Sequence, residues 1–182
     1  MSKSILVLTG SPRKGGNSDQ LADAFITGAQ QSGYTTIKYA TAGKNIKGCI
    51  DCRTCYSKGV ACSISDDFNE LAAILEHVDM VVFATPMYWF SFPGQLKAAI
   101  DKFISFYIGQ RTIETKECAL IVCGGGQEES EYEGIVKSYR LIADFMTWKD
   151  KGSIIVKGVY DIGDITKTDG LQLAEEFGRN LI

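Results

Sequence analysis

Histidine is nearly absent from this 182-residue chain, His77 being the single example. It follows a helical apolar run and precedes an apolar strand, so it reads as a structural or solvent-exposed residue rather than a catalytic base. A large excess of either charge is also missing. A net charge of -3 gives no electrostatic reason to expect nucleic acid or an anionic membrane as partner. Long apolar runs are missing: near the N-terminus a single early lysine is followed by a short run that soon ends in a glycine turn, which argues against a signal peptide or a membrane span. A cytoplasmic compartment is expected. Hydrophobic residues at 45% against 23% charged leave no sign of disorder, and the length suits one domain over residues 1–182 with a full core.

The stretch that organises the chain is also defined by what it lacks. Ser4-Ile5-Leu6-Val7-Leu8-Thr9 reads as a strand buried on both faces, followed by the turn Gly10-Ser11-Pro12-Arg13-Lys14-Gly15-Gly16-Asn17-Ser18 and then a helix. Pro12 stands where a dinucleotide fingerprint needs its second glycine. No Gly-Lys-Ser/Thr follows, so the loop is no NTP-binding P-loop, and no cysteine precedes Arg13, so it is no cysteine phosphatase loop. What remains is an anion cradle. Small residues free the backbone N–H groups, Asn17 or Ser18 can cap the helix, the helix N-terminus favours a phosphate, and Arg13 adds a fork of donors. A monophosphate held noncovalently fits, and flavin mononucleotide (FMN) is the common guest of a doubly wound sheet. The bland alternative is a plain surface turn.

Further along, Leu21, Ala24, Phe25, Gly28 and Ala29 recur at helical spacing before Ser32-Gly33, and Thr35 to Ala40 reads as a second strand. Residues 41–66, rich in Gly, Lys, Ser and Cys, show neither helical nor strand period and are too long for an idle connection. They read as a functional insertion. Asp66 or Asp67 then caps a helix through Phe68, Leu71, Ala72, Ile74 and Leu75, and Met80 to Thr85 is a buried strand. It ends in Pro86-Met87-Tyr88-Trp89-Phe90-Ser91-Phe92-Pro93-Gly94, ahead of an amphipathic helix over 95–103. Four aromatics at a strand's carboxyl end can wall a planar ring, or else Trp89 and Phe90 pack under the loop or against a second subunit. The strand Glu117 to Cys123 runs into Gly124-Gly125-Gly126, where backbone amides can approach a ligand, or which forms a bare flexible turn. The acidic run 127–131 reads as a solvated loop or helix start bordering that edge. A helix over 134–145, a strand over 153–159 and a terminal helix from Leu171 complete five β-α units. The fold class is α/β, a flavodoxin-like doubly wound five-stranded parallel sheet in order 2-1-3-4-5 with helices on both faces.

Six cysteines need separate treatment. Cys118 and Cys123 lie on one strand an odd number of positions apart, so they point to opposite faces and are inert through burial. Cys49-x2-Cys52-x2-Cys55-x6-Cys62 is a compact thiol set that argues for metal or redox chemistry in a cytoplasmic protein rather than a disulfide. The x2 spacings are those that ligate a [4Fe-4S] cluster in bacterial ferredoxins. Zinc, which takes separated pairs, ranks lower, and the loop can also serve only to shape the pocket or a dimer contact.

Together these residues carry a family resemblance. Gly10-Ser11-Pro12-Arg13-x3-Asn17-Ser18, the clustered cysteines ending in Asp66-Asp67, Pro86-x-Tyr88 and Gln95-Leu96-Lys97-x3-Asp101 resemble the NADPH-dependent FMN reductase family, and within it most nearly the iron-sulfur flavoproteins. The likeness implies that Ser11, Arg13, Gly16, Asn17 and Ser18 bind the FMN phosphate, Pro86, Met87, Tyr88 and Trp89 the isoalloxazine edge, and Gly124, Gly125 and Gly126 its pyrimidine side. It further implies dimers, often pairs of dimers, with the flavin near the interface. Lys102 departs from the family, which often has Arg there. Two functions follow. One is an oxidoreductase passing electrons from NAD(P)H through FMN to a small acceptor such as a quinone, flavin or metal ion, with no catalytic side chain required. The other is an electron-transfer module in which Cys49, Cys52, Cys55 and Cys62 hold a [4Fe-4S] cluster fed by a ferredoxin-like partner. An apolar loop beside an open site also predicts a homodimer that covers the rings of Trp89 and Phe92.

Overall fold

The computed structural model describes residues 3–111, 113 and 116–181. Its strands are β1 (Ser4–Thr9), β2 (Thr35–Ala40), β3 (Met80–Pro86), β4 (Glu117–Cys123) and β5 (Lys149–Val156). They form one all-parallel sheet in order β2-β1-β3-β4-β5, the flavodoxin-like winding that the sequence implies. The central strands are apolar without alternation because both faces are covered. One face, with Ile5, Val7, Val82, Ala84, Ile121 and Cys123, packs under α1 (Asn17–Gln31) and α6 (Gly170–Arg179). The other, with Leu6, Leu8, Phe83, Cys118, Leu120 and Val122, packs under α2 (Phe68–His77), α3 (Gly94–Asp101), α4 (Ile104–Ile108) and α5 (Glu133–Phe145). Cys118 and Cys123 are thus buried on opposite faces, as their spacing requires. His77 ends α2 in solvent.

Helices α1 and α6 meet through glycine. A Cβ at Gly28 would sit 1.9 Å from the Glu175 carbonyl oxygen, and one at Gly178 would sit 2.2 Å from that of Phe25. Such spacings admit no side chain, so the two backbones touch directly. Among the described helices none is long and apolar enough to cross a membrane.

Three expectations need correction. The last strand spans Lys149–Val156 rather than 153–159, because its charged start pairs with Glu117 and Cys118 at the sheet edge across a register irregularity near Leu120. The helix over 95–103 is broken: α3 stops at Asp101, and a turn at Lys102-Phe103 leads into α4. The N-cap of α1 is Gly16, and neither Asn17 nor Ser18 caps it. At α2 the N-cap is Asp67, as expected, but its carboxylate turns back to accept the Asn45 N–H at 2.7 Å and makes no cap bond, while Asp66 accepts the Phe68 N–H at 3.1 Å. The insertion over 41–66 contains no helix or strand, in keeping with its composition.

Candidate functional site

Parallel strands deliver their following loops to one edge, and here those loops enclose a cleft of about 660 Å³. From the β1 loop come Ser11, Arg13, Gly16, Asn17 and Ser18; from the β3 loop Pro86, Met87, Tyr88 and Trp89; from the β4 loop Gly124, Gly125 and Gly126. All twelve residues singled out from the sequence for a cofactor line this one space.

The first loop is tied down from behind. The Asp19 carboxylate accepts the Gly15 N–H at 2.8 Å and pairs with Lys38 at 2.7 Å. Burial works against its charge, but these partners outweigh burial and hold its carboxyl below the usual range. Because Gly16 brings no side chain, the N–H groups of the first turn of α1 have neither an intrahelical partner nor a side-chain cap over them. They form the donor end of the cleft. Asn17, freed from capping, bridges instead to a fourth segment, the loop after β5: its amide donates to the Asp161 carbonyl at 2.9 Å, and its side-chain oxygen accepts the Gly163 and Ile165 N–H groups. Arg13 donates to the Tyr160 carbonyl at 3.2 Å.

That fourth segment lies outside the sequence expectation. Val159, Tyr160 and Ile162 close the cleft, with Tyr160 73% exposed. Extending the last strand to residue 159 hid the turn, whose signals are Gly158 and Gly163, both at positive φ. Gly158 and Val159 bond back to Gly126 and Gly124 at 2.8 and 2.9 Å, so the fourth segment is stitched to the glycine loop. The glycines have a further reason to be small. A Cβ at Gly124 would meet the Tyr132 hydroxyl at 3.1 Å, one at Gly125 the Tyr160 ring at 3.2 Å and one at Gly126 the Glu131 carboxylate at 3.0 Å, so they make room for protein side chains. Glu131 itself lines the cleft. It accepts the N–H groups of Gln127 and Glu128 at 2.8 and 2.9 Å in a capping box, making the acidic run a helix start.

The aromatic loop is a tight hairpin. Tyr88 and Ser91 exchange two 3.0 Å backbone bonds, and Trp89 and Phe90 between them sit at φ 49° and 66°, the left-handed pair of a type I′ turn. Trp89 is 93% exposed at the cleft rim, whereas Phe92 is buried in its own subunit against Phe83. Phe92 therefore has no ring to offer a second subunit, which corrects that expectation; the pleat after the turn points it inward.

The four clustered cysteines line a second hollow, together with Lys102 and Ser105. Cys49 and Cys52 are exposed, Cys55 is half-buried and Cys62 buried, and all are free thiols. Burial, then the neighbouring Cys62, Cys52 and Cys49, push the Cys55 thiol up. Cys52 Sγ lies 3.1 Å from the Thr54 hydroxyl, which with Ser63 holds its thiol below the usual range. The insertion is pinned beneath by a buried ion pair of Lys102 with Asp66, which also accepts the Lys47 N–H at 2.9 Å. Among the described residues no three His, Cys, Asp or Glu side chains gather around one ion position.

Comparison with known proteins gives a family by sequence and a matching fold by structure. An iron-sulfur flavoprotein of Archaeoglobus fulgidus is 34% identical over 125 residues, covering 68% of this chain and 56% of its own length. One from Methanosarcina thermophila is 28% identical over 97% of this chain and 92% of its own. In fold, an NAD(P)H:quinone oxidoreductase from Methanothermobacter marburgensis superposes with a TM-score of 0.80 at 22% identity, over 100% of this chain and 96% of that one. Residues 4–145 match the sequence pattern of the NADPH-dependent FMN reductases. The chain belongs to the NADPH-dependent FMN reductase family.

Proposed function

We propose that the cleft holds FMN noncovalently and that the chain works as an NAD(P)H-dependent oxidoreductase with a small electron acceptor. The observation that carries this reading is the convergence of three loops on one cleft with a helix N-terminus at one end and an apolar wall at the other. The first-turn amides of α1, Ser11, Ser18 and the free arms of Arg13 take the phosphate. Pro86, Met87, Tyr88 and Trp89 lie along the isoalloxazine edge, and Gly124, Gly125 and Gly126 border its pyrimidine side, with the N–H of Gly124 held by the Val156 carbonyl at 3.2 Å and those of Gly125 and Gly126 left to the ligand. When bound, FMN accepts hydride from NAD(P)H and passes the electrons to a quinone, flavin or metal ion. The protein contributes position: Asn17 and Arg13 anchor the 160–163 turn over the site, and the hairpin at Trp89 fixes the height of the wall. No side chain needs to carry a proton in this scheme. Anaerobic titration of the FMN-loaded protein with NADPH tests it, with bleaching of the flavin absorbance expected; a flavin that stayed oxidised under excess NADPH and NADH would refute it.

A second reading adds a [4Fe-4S] cluster and a ferredoxin-like donor. It is favoured by one observation, that Cys49, Cys52, Cys55 and Cys62 all line the same hollow. The donor set fits. A cubic cluster takes one thiolate at each iron, so its ligands stand around a hollow rather than meeting at a point, and the four cysteines share the lining of one. Volume is the difference: the hollow spans about 20 Å³, the room of one water, so a cluster displaces its exposed outer wall at Cys49 to Cys52. Anaerobic incubation with iron and sulfide decides it, through a chemical count of bound iron. A homodimer belongs to the same proposal, covering Trp89 and the exposed Tyr107, Leu141 and Phe145. Light scattering at micromolar concentration checks the assembly, and a monomer would contradict it.

A further inference from the structure

One polar group on the wall of the cysteine hollow is left unanswered by the protein. Ser105 lies in α4 at 2% exposure, and its Oγ is buried without a hydrogen-bond partner. Among the described side chains the one other such atom is Trp148 Nε1, whose ring packs on Phe103 and does not line the hollow. Buried hydroxyls are almost always satisfied, and a helical serine ordinarily bonds the carbonyl one turn back or points to water. Ser105 does neither. Its neighbour Lys102, 1% exposed and lining the same hollow, pairs its ammonium with Asp66 and, being a donor only, offers Ser105 no acceptor. Leaving the hydroxyl dry carries a desolvation cost that alanine would avoid, which makes sense where an acceptor arrives later.

We infer that the Ser105 hydroxyl donates a hydrogen bond to a sulfur of the iron-sulfur group held by Cys49, Cys52, Cys55 and Cys62, and thereby raises its reduction potential. The inference rests on the cluster reading above. One-electron reduction adds one unit of negative charge to the group and transfers no proton. A donor aimed at sulfur stabilises that charge more in the reduced form than in the oxidised form, and hydrogen bonding to the sulfurs is one of the known determinants of such potentials. Ser105 is a tuning residue for the bound group; it ligates nothing itself.

The test is Ser105→Ala in the full chain, reconstituted anaerobically with ferrous iron and sulfide. Bound iron and sulfide should equal the wild type. In a potentiometric titration followed by electron paramagnetic resonance, the ratio of reduced to oxidised cluster at a fixed potential should fall about tenfold, which for a one-electron couple is 59 mV. Deuterium coupling from exchangeable solvent protons at the reduced cluster should weaken in the same variant. Before reconstitution the variant should melt no lower than wild type, because the hydroxyl it loses has no partner in the protein. An unchanged potential in a fully loaded variant overturns this inference and leaves the cluster reading standing. A lower melting temperature before loading also overturns it, by revealing a structural partner for the hydroxyl. Failure of the wild type to take up iron overturns the cluster reading and this inference with it.

Discussion

The hairpin at Trp89 and Phe90 holds strain that a different sequence would not. Both central residues of this two-residue turn are left-handed, at φ 49° and 66°, where Asn-Gly is the favoured pair. A bulky L-residue there costs about 1–2 kcal/mol, so the turn stores about 2–4 kcal/mol. Replacing both residues, Trp89→Asn with Phe90→Gly, releases most of it. Trp89 is 93% exposed and forfeits almost no burial, while Phe90, at 53%, gives up about half of a full phenylalanine contribution, about 1 kcal/mol. The added freedom of glycine in the unfolded chain takes back ~0.5–1 kcal/mol more. The net gain is about 1 kcal/mol, which for a chain of this size raises the melting temperature by about 2–4 °C. Binding moves the other way. Removing an aromatic wall forfeits ~0.5–1.5 kcal/mol of ring contact, a loss of up to about tenfold in FMN affinity. Differential scanning calorimetry of the flavin-free protein and a flavin titration read the two effects separately. A variant that melts lower while binding FMN as well as wild type would refute the reasoning, since strain in this turn would then be neither present nor tied to the site.

Two other outcomes follow from the packing. Gly28→Ala should cost about 3 kcal/mol or more, because its Cβ would drive α1 and α6 apart, whereas Gly48→Ala, with nothing within 4 Å and no positive φ, should melt as wild type. Thiol labelling of the metal-free protein at pH 8 should reach the exposed Cys49 and Cys52 and spare Cys118 and Cys123, whose thiols burial pushes up to about 11 and about 12. The thiolate is the reactive form, so at pH 8, below both raised values, these two stay protonated as well as buried; their labelling before unfolding would contradict the placement of β4.

The legible parts of the chain were those where one physical signal dominates. Strands β1, β3 and β4 read cleanly because every interior position is apolar and both faces are covered. The loops after them were legible as site loops because parallel topology sends them to one edge. The edge strand β5 was not, since it opens on the charged run Lys149, Asp150 and Lys151, the first two of them exposed, and Val159 mimics a strand beyond its end. With its boundary misplaced, Tyr160 and Ile162 vanished from the site. Asn17 looked like a cap because Asn caps helices, but three partners in the 161–165 turn compete successfully for its amide. Ser105 gave no signal at all: its meaning lies in the absence of a partner, which only three-dimensional packing reveals.

The central claim is that the amides at the start of α1, with Arg13, read a phosphate. Fluorescence titration of the flavin-free protein with FMN and, separately, with riboflavin tests it most directly, because the two ligands share the ring and differ in the phosphate. A charge-assisted bond contributes about 1.5–3 kcal/mol, so FMN should bind at least about tenfold more tightly than riboflavin, and Arg13→Ala should narrow that gap. Equal affinities for the two ligands in the wild-type protein would contradict the account.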